Sequence, residues 1–193
     1  FETLSIDLFG PLPETPEGFK WILVVEDTST RWLELFPLRN ATAETCARML
    51  VDEVILRYGT PRRVISDNGP QFVGEVMQAV SYCLGFKQVL TPAYHPEANP
   101  VERKNRDIKT QLAILTTNSH TGWKDHLPSI RFAMNSTNSA ATGYTPAFLT
   151  FGRELRTPDD VQRDLRGIIL NAPFVPQITP YLKTFSEVLA RVR

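Results

Sequence analysis

The sequence predicts an α/β protein built on a five-stranded mixed sheet flanked by helices. Three short β-forming segments follow one another before any helix begins, and two more strand-like segments then alternate with helical ones. The 193-residue chain is 42% hydrophobic and 22% charged, the composition of a folded globular domain rather than a disordered or fibrous one. That length suits one domain with a core of ordinary size.

Leu4 to Phe9, Phe19 to Glu26 and Trp32 to Leu38 are rich in β-formers and separated by Gly, Pro and polar turn residues. They read as three consecutive strands in an antiparallel meander. From Thr42, residues Cys46, Ala47, Leu50, Val54 and Tyr58 recur at helical spacing until Gly59-Thr60-Pro61 stops them. Arg63 to Ser66 reads as a fourth strand, Phe72 to Leu84 as a helix ended by Gly85, and Phe86 to Leu90 as a fifth strand. Such alternation favours parallel pairing through right-handed crossovers, with the helices packed on the sheet.

After Asn99 the chain turns helical. Val101, Ile108, Leu112 and Leu115 form an apolar stripe, and Glu102, Asn105, Arg106 and Lys109 a polar one. Gly122 to Asn135 reads as a further helix with Trp123, Leu127, Ile130 and Met134 at core spacing, and Thr145 to Phe151 as a short one; both are expected to pack against the domain. The main domain is thus expected over residues 1–156. In residues 157–193, prolines at 158, 173, 176 and 180 predict an extended connector, and Tyr181 to Arg193 a terminal helix.

No apolar run approaches the roughly 20 residues needed to cross a bilayer, and the first residues lack the pattern of a signal peptide. A soluble intracellular protein without a membrane partner is expected. Phe1 is not an initiator methionine and a strand begins close behind it, so flanking domains are expected beyond these residues. Cys46 and Cys83 have no zinc-ligand spacing with each other or with His95, His120 and His126, and read as reduced core or helix residues. With 21 basic and 21 acidic residues the chain has no global field for nucleic acid, so any such attraction must come from local clusters and bound metal.

Three acids stand out. Asp7 lies inside the first strand, where an ionised carboxylate is costly to bury unless paired or bound to a cation. Asp67 ends the fourth strand, at the sheet edge where α/β proteins bind ligands, although Asp67-Asn68-Gly69-Pro70 is also good turn material. If the first and fourth strands are neighbours, the two carboxylates face each other and repel unless a cation or proton intervenes. Glu102 follows Asn99 and Pro100, so it also fits a capping box at a helix start.

Asp7 and Asp67 have 59 residues between them, Asp67 and Glu102 have 34, and each acid is embedded in a distinctive string. The strings are Ile6-Asp7-Leu8-Phe9-Gly10-Pro11-Leu12-Pro13, Ser66-Asp67-Asn68-Gly69-Pro70-Gln71-Phe72 and Tyr94-His95-Pro96-Glu97-Ala98-Asn99-Pro100-Val101-Glu102-Arg103. With Thr142-Gly143-Tyr144-Thr145-Pro146 and Phe151-Gly152-Arg153, they make residues 4 to 158 resemble the integrase catalytic core of LTR retrotransposons and retroviruses, Gypsy-like elements included. One departure is visible: many relatives carry Asn-Gly-x-x-Glu where this chain has Asn99-Pro100-Val101-Glu102, an interval one residue shorter. A deletion before the helix can be absorbed in the loop, and Glu97 is the alternative third ligand.

The resemblance implies an RNase H-like fold in which Asp7, Asp67 and Glu102 bind two Mg²⁺ or Mn²⁺ ions. Two-metal sites hold their ions about 3.5–4 Å apart, and Asp7 would bridge them. It implies DNA integration by phosphoryl transfer: 3′-end trimming with water, then strand transfer with a DNA 3′-hydroxyl. Element-end and target DNA would be the partners, contacted by Asn68, Gln71, Tyr94, His95, Asn105, Arg106 and Lys109. A homo-oligomer, dimer or tetramer, and action in the nucleus after cytoplasmic assembly follow from the same resemblance. The rival readings are a domesticated core that binds nucleic acid or protein without catalysis, and another RNase H-like nuclease.

Overall fold

The computed structural model describes residues 1–91, 101–117 and 120–156, the side chains of 101–103 excepted. Its centre is a five-stranded sheet in the order β3-β2-β1-β4-β5. Strands β1 (Thr3–Phe9), β2 (Trp21–Asp27) and β3 (Leu33–Leu38) form the expected antiparallel meander. Strands β4 (Arg63–Ser66) and β5 (Lys87–Leu90) extend it by parallel pairing on the other side of β1. The first and fourth strands are therefore neighbours.

The strand ends are set by local hydrogen bonds. Phe19, expected in a strand, closes the β1–β2 connection instead: Thr15 N donates to Phe19 O, and Phe19 N to Thr15 Oγ1. Asp27 accepts from both Thr30 N and Thr30 Oγ1, which folds the turn into β3 and leaves Trp32 ahead of the strand. Gly10 follows β1 at φ +146°, and a Cβ there would sit 2.8 Å from Lys20 O and 2.9 Å from the Trp21 ring. Only glycine fits that approach.

Alternation along the strands sorts side chains into two layers. On one face Leu4, Ile6, Leu23, Val25, Phe36 and Leu38 pack against Cys46, Leu50 and Val54 and against Phe72 and Met77. The helix behind this layer begins at α1 (Ala43–Leu50), where Thr42 Oγ1 accepts from Thr45 N. It passes through a π-helical turn, Val51–Ile55, and ends at α2 (Leu56–Tyr58) before Gly59.

The predicted Phe72 to Leu84 helix is two helices, α3 (Pro70–Val73) and α4 (Glu75–Leu84). Gly74 between them is extended, at ψ 161°. A Cβ on Gly74 would lie 3.2 Å from Pro70 O, so the break suits a residue without one. Gly85 closes α4 in the left-handed conformation, as its sequence position predicts.

On the opposite face Ile22, Val24, Leu33 and Leu35 pack against Ile108 and Leu112 of α5 (Val101–Leu115) and against Trp123, Leu127, Ile130 and Met134 of α6 (Trp123–Ser136). Trp123 Nε1 also donates to Pro13 O at 2.7 Å, tying the start of α6 to the segment after β1. Leu115 departs from its predicted core position and is 43% exposed. Burial on α5 follows the four-residue step Ile108, Leu112, Thr116, and Leu115 lies on the flank of that row.

By its contacts the chain divides into two compact units, Phe1–Met134 and Asn135–Arg193. In the second, Thr145 caps α7 (Pro146–Phe151) by accepting from Phe148 N, and its hydroxyl donates to Glu154. The expected connector and terminal helix of residues 157–193 lie outside the described residues. No helix among the described residues is long and apolar enough to cross a membrane. Both cysteines are free, Cys46 buried and Cys83 exposed on α4.

Candidate active site

The parallel register sets the site. Thr3 pairs with Arg63, Leu4 with Val64 and Ser5 with Ile65, an offset of 60 that brings Asp67 level with Asp7. Level residues on parallel strands project to the same face, and neighbouring strands lie about 4.8 Å apart. Leu4 and Ile6 occupy the α1 layer, so Asp7 and Asp67 belong to the α5 face. Both are half-buried.

The Asp7 carboxylate is held at both oxygens. Leu8 N donates to Oδ1 at 2.8 Å, and Asn105 Nδ2, reaching from α5, donates to Oδ2 at 2.6 Å. Bonds to a charged acceptor are short and strong and fix its orientation. Asn105, which the sequence offers either as support for Glu102 or as a DNA contact, here supports Asp7 through its amide. Its Oδ1 is buried and accepts no hydrogen bond.

Asp67 is shaped by its turn: Gly69 N donates to Asp67 Oδ1 at 3.0 Å. Asn68 is exposed, and its Nδ2 donates to Thr91 O at 3.0 Å, tying the turn after β4 to the end of β5. Gln71 is half-buried on α3, while Arg106 and Lys109 are exposed on α5. Glu102 lies on α5 one turn before Asn105, and its side chain lies outside the described residues, as do Tyr94, His95, Glu97 and the proposed cap of Asn99 and Pro100.

The donor set fits a hard divalent cation. Carried one residue past β4, the β1–β4 register puts Asp67 level with Asp7, and the Asn105 amide bonded to Asp7 keeps a buried oxygen that receives no hydrogen bond, the oxygen-rich chemistry Mg²⁺ and Mn²⁺ prefer. Among the described residues no group of three or more His, Cys, Asp or Glu side chains converges.

Three buried acids were missed by the sequence reading: Asp27, which holds the turn into β3, and Glu34 and Glu26. Glu34 on β3 is 2% exposed and accepts from Trp32 Nε1 at 3.0 Å, Arg131 at 2.8 Å and the Tyr58 hydroxyl. Burial and then the Glu34 carboxylate push the Tyr58 hydroxyl up to about 12. Glu26 on β2 is fully buried, pairs across from Ser5 on β1, and neither of its oxygens accepts a hydrogen bond. Burial raises its carboxyl from 4.5 to about 7 against the opposing pull of Arg31, at 3.7 Å, and Lys104. The signal was available: period two puts Glu26 on the face of Ile22 and Val24, and Glu34 on that of Phe36 and Leu38.

Comparison with known proteins defines the class. The integrase core domain family matches residues 1–96. The HTLV-2 integrase catalytic core domain, solved in complex with magnesium in a trimeric form, superposes with a TM-score of 0.60 over 76% of this chain and 93% of that one, at 17% identity. The fold is the RNase H-like fold of integrase catalytic cores.

Sequence relatives specify it further. The Gag-Pol polyprotein of feline leukemia virus is 39% identical over 139 residues, covering 70% of this chain and 8% of the polyprotein. The Gypsy retrotransposon integrase-like protein 1 of Bos taurus is 27% identical over 165 residues, covering 86% of this chain and 32% of that protein. The chain carries an integrase core domain of the retroviral and retrotransposon type, and it spans a small part of these relatives' length.

Proposed function

We propose that this core is an active, metal-dependent polynucleotidyl transferase that trims the 3′ ends of element DNA and joins them to target DNA. The observation that carries the reading is the β1–β4 register, which sets Asp7 and Asp67 level on the face that α5 covers. Asp7, Asp67 and Glu102 would hold Mg²⁺ or Mn²⁺. When bound there, the metal supplies Lewis acidity, favouring a nucleophilic water or 3′-hydroxyl and stabilising the leaving oxygen.

The protein's own contribution is positioning. Leu8 N and Asn105 fix the Asp7 carboxylate before any ligand arrives, so little reorganisation is left for the reaction. The Gly69 N contact does the same for Asp67. Arg106 and Lys109, exposed on the helix that carries Glu102, offer cations to incoming phosphates. Asn68, Gln71, Tyr94 and His95 complete the proposed DNA contacts. Assembly as a homo-oligomer and action on DNA in the nucleus, after cytoplasmic assembly, belong to the same proposal.

The test is joining of a labelled DNA end to a plasmid by the protein carrying these residues, in Mg²⁺ or Mn²⁺. Asp67→Asn keeps the side chain's shape and removes its charge. It should lower the rate at least a hundredfold, about 3 kcal/mol of activation free energy. An Asp67→Asn protein as active as the unsubstituted one would overturn the assignment.

A further inference from the structure

Among the described residues, the sheet face that carries Asp7 and Asp67 is covered on its β1–β2 side and open on its β4–β5 side. Helix α5 packs over β1 and β2, and Ser5 and Val24 beneath it are fully buried. On the β4–β5 side of the same face, Ile65 and Val89 are only half-buried, and Arg63 and Lys87 are exposed. Arg63 and Lys87 are register partners, as are Ile65 and Val89. Their face is fixed by their neighbours: Val64 enters the α1 layer, and Gln88 donates to Phe72 O of α3 on that same side. Arg63 and Lys87 therefore project beside each other to the α5 side, in line with Asp67.

Two cations placed directly across a strand pair repel, and none of the described residues offsets this. Among the described residues neither side chain takes part in an ion pair or hydrogen bond, and the nearby Glu2 is paired with Arg62 at 3.7 Å. Arg63 lies four residues before Asp67 on one strand line, about 13 Å at some 3.3 Å per residue. One DNA strand advances about 3.4 Å per phosphate, so that span corresponds to about four nucleotides. The strip between the cations and the acids, Ile65 and Val89, holds no charge to interrupt the path.

We infer that Arg63 and Lys87 form a second seat for the backbone of double-stranded DNA, about four nucleotides from the carboxylates. The inference rests on the DNA-processing reading of the Asp7–Asp67 site. It gives a neutral chain a local anion site on the same surface, without requiring a global field.

The experiment is binding of a fluorescent 30-base-pair duplex to the chain in EDTA, from 50 to 200 mM salt, comparing the unsubstituted protein with Arg63→Gln/Lys87→Gln. Losing two phosphate contacts should flatten the slope of log affinity against log salt by about 1.8 and weaken binding up to roughly 60-fold at 0.1 M salt. Arg63→Lys/Lys87→Arg should restore both, and no variant should melt below the unsubstituted protein, because both sites are exposed and the Gln pair removes a cross-strand repulsion. An unchanged slope and affinity in the Gln pair, or no duplex binding by the unsubstituted chain, overturns the seat. The joining assay with Asp67→Asn reads the other site separately. A flattened slope beside undiminished Asp67→Asn activity would keep the seat and remove the catalytic assignment.

Discussion

Glu26 should make this protein less stable as the solution becomes more alkaline. Its carboxyl is fully buried with no hydrogen-bond donor, and burial lifts it from 4.5 to about 7, with Arg31 and Lys104 offsetting part of the rise. Below pH 4.5 the group is protonated folded and unfolded alike, and contributes no difference. Between 4.5 and 7 the unfolded chain releases the proton while the folded one keeps it, so unfolding gains about 1.4 kcal/mol per pH unit. Above 7 both states are ionised and the loss levels off at about 3 kcal/mol. Glu26→Gln removes the titration, while its own buried amide adds a cost that does not depend on pH. The pH dependence therefore isolates the acid: from pH 5 to pH 8 the unsubstituted protein should lose about 2–3 kcal/mol more than Glu26→Gln. Urea unfolding at matched ionic strength measures it. Parallel stability curves for the two proteins would show that the carboxyl is solvated and refute the reasoning.

Asn105→Ala should weaken Mn²⁺ binding to the chain 10- to 100-fold without changing its helix content, because it removes the donor that orients Asp7; unaltered Mn²⁺ titration would mean the contact does not position the carboxylate. Glu34→Ala strands Trp32 Nε1, the Tyr58 hydroxyl and Arg131 together, and should cost about 3–5 kcal/mol in urea unfolding. A loss under about 1 kcal/mol would show that water replaces the carboxylate there.

Much of the architecture was legible because alternation and punctuation are local. Period-two segments marked the meander, Gly59-Thr60-Pro61 and Gly85 ended helices, and the strand-helix alternation favoured β4 and β5 running parallel to β1, as they do. The break at Gly74 was not legible, since one glycine inside a helical pattern is compatible with a continuous helix; the structure adds only that a Cβ there would crowd Pro70 O. The π-helical turn likewise leaves the apolar spacing of Leu50 and Val54 undisturbed. At the candidate site, the strings singled out Asp7 and Asp67, and the strand order makes the strands that carry or precede them neighbours. The partner of Asn105 could not be read, because it depends on a contact across 98 residues of sequence.

That contact bears on the shortened interval before Glu102. A missing residue ahead of a helix matters only if it shifts the helix along its axis or turns it, since either would move every position on it. Helix α5 is anchored by features within itself: Ile108 and Leu112 are in the core beneath it, and Asn105 is bonded to Asp7 on the sheet. Two apolar anchors and one polar anchor on adjacent turns fix both rotation and height. Glu102, three residues before Asn105, is then about 4.5 Å further along the axis at 1.5 Å per residue, whatever the length of the segment leading in. The height of Glu102, the proposed third ligand, along α5 is thus set from the side of Asp7, through the Asn105 contact rather than through the segment leading in.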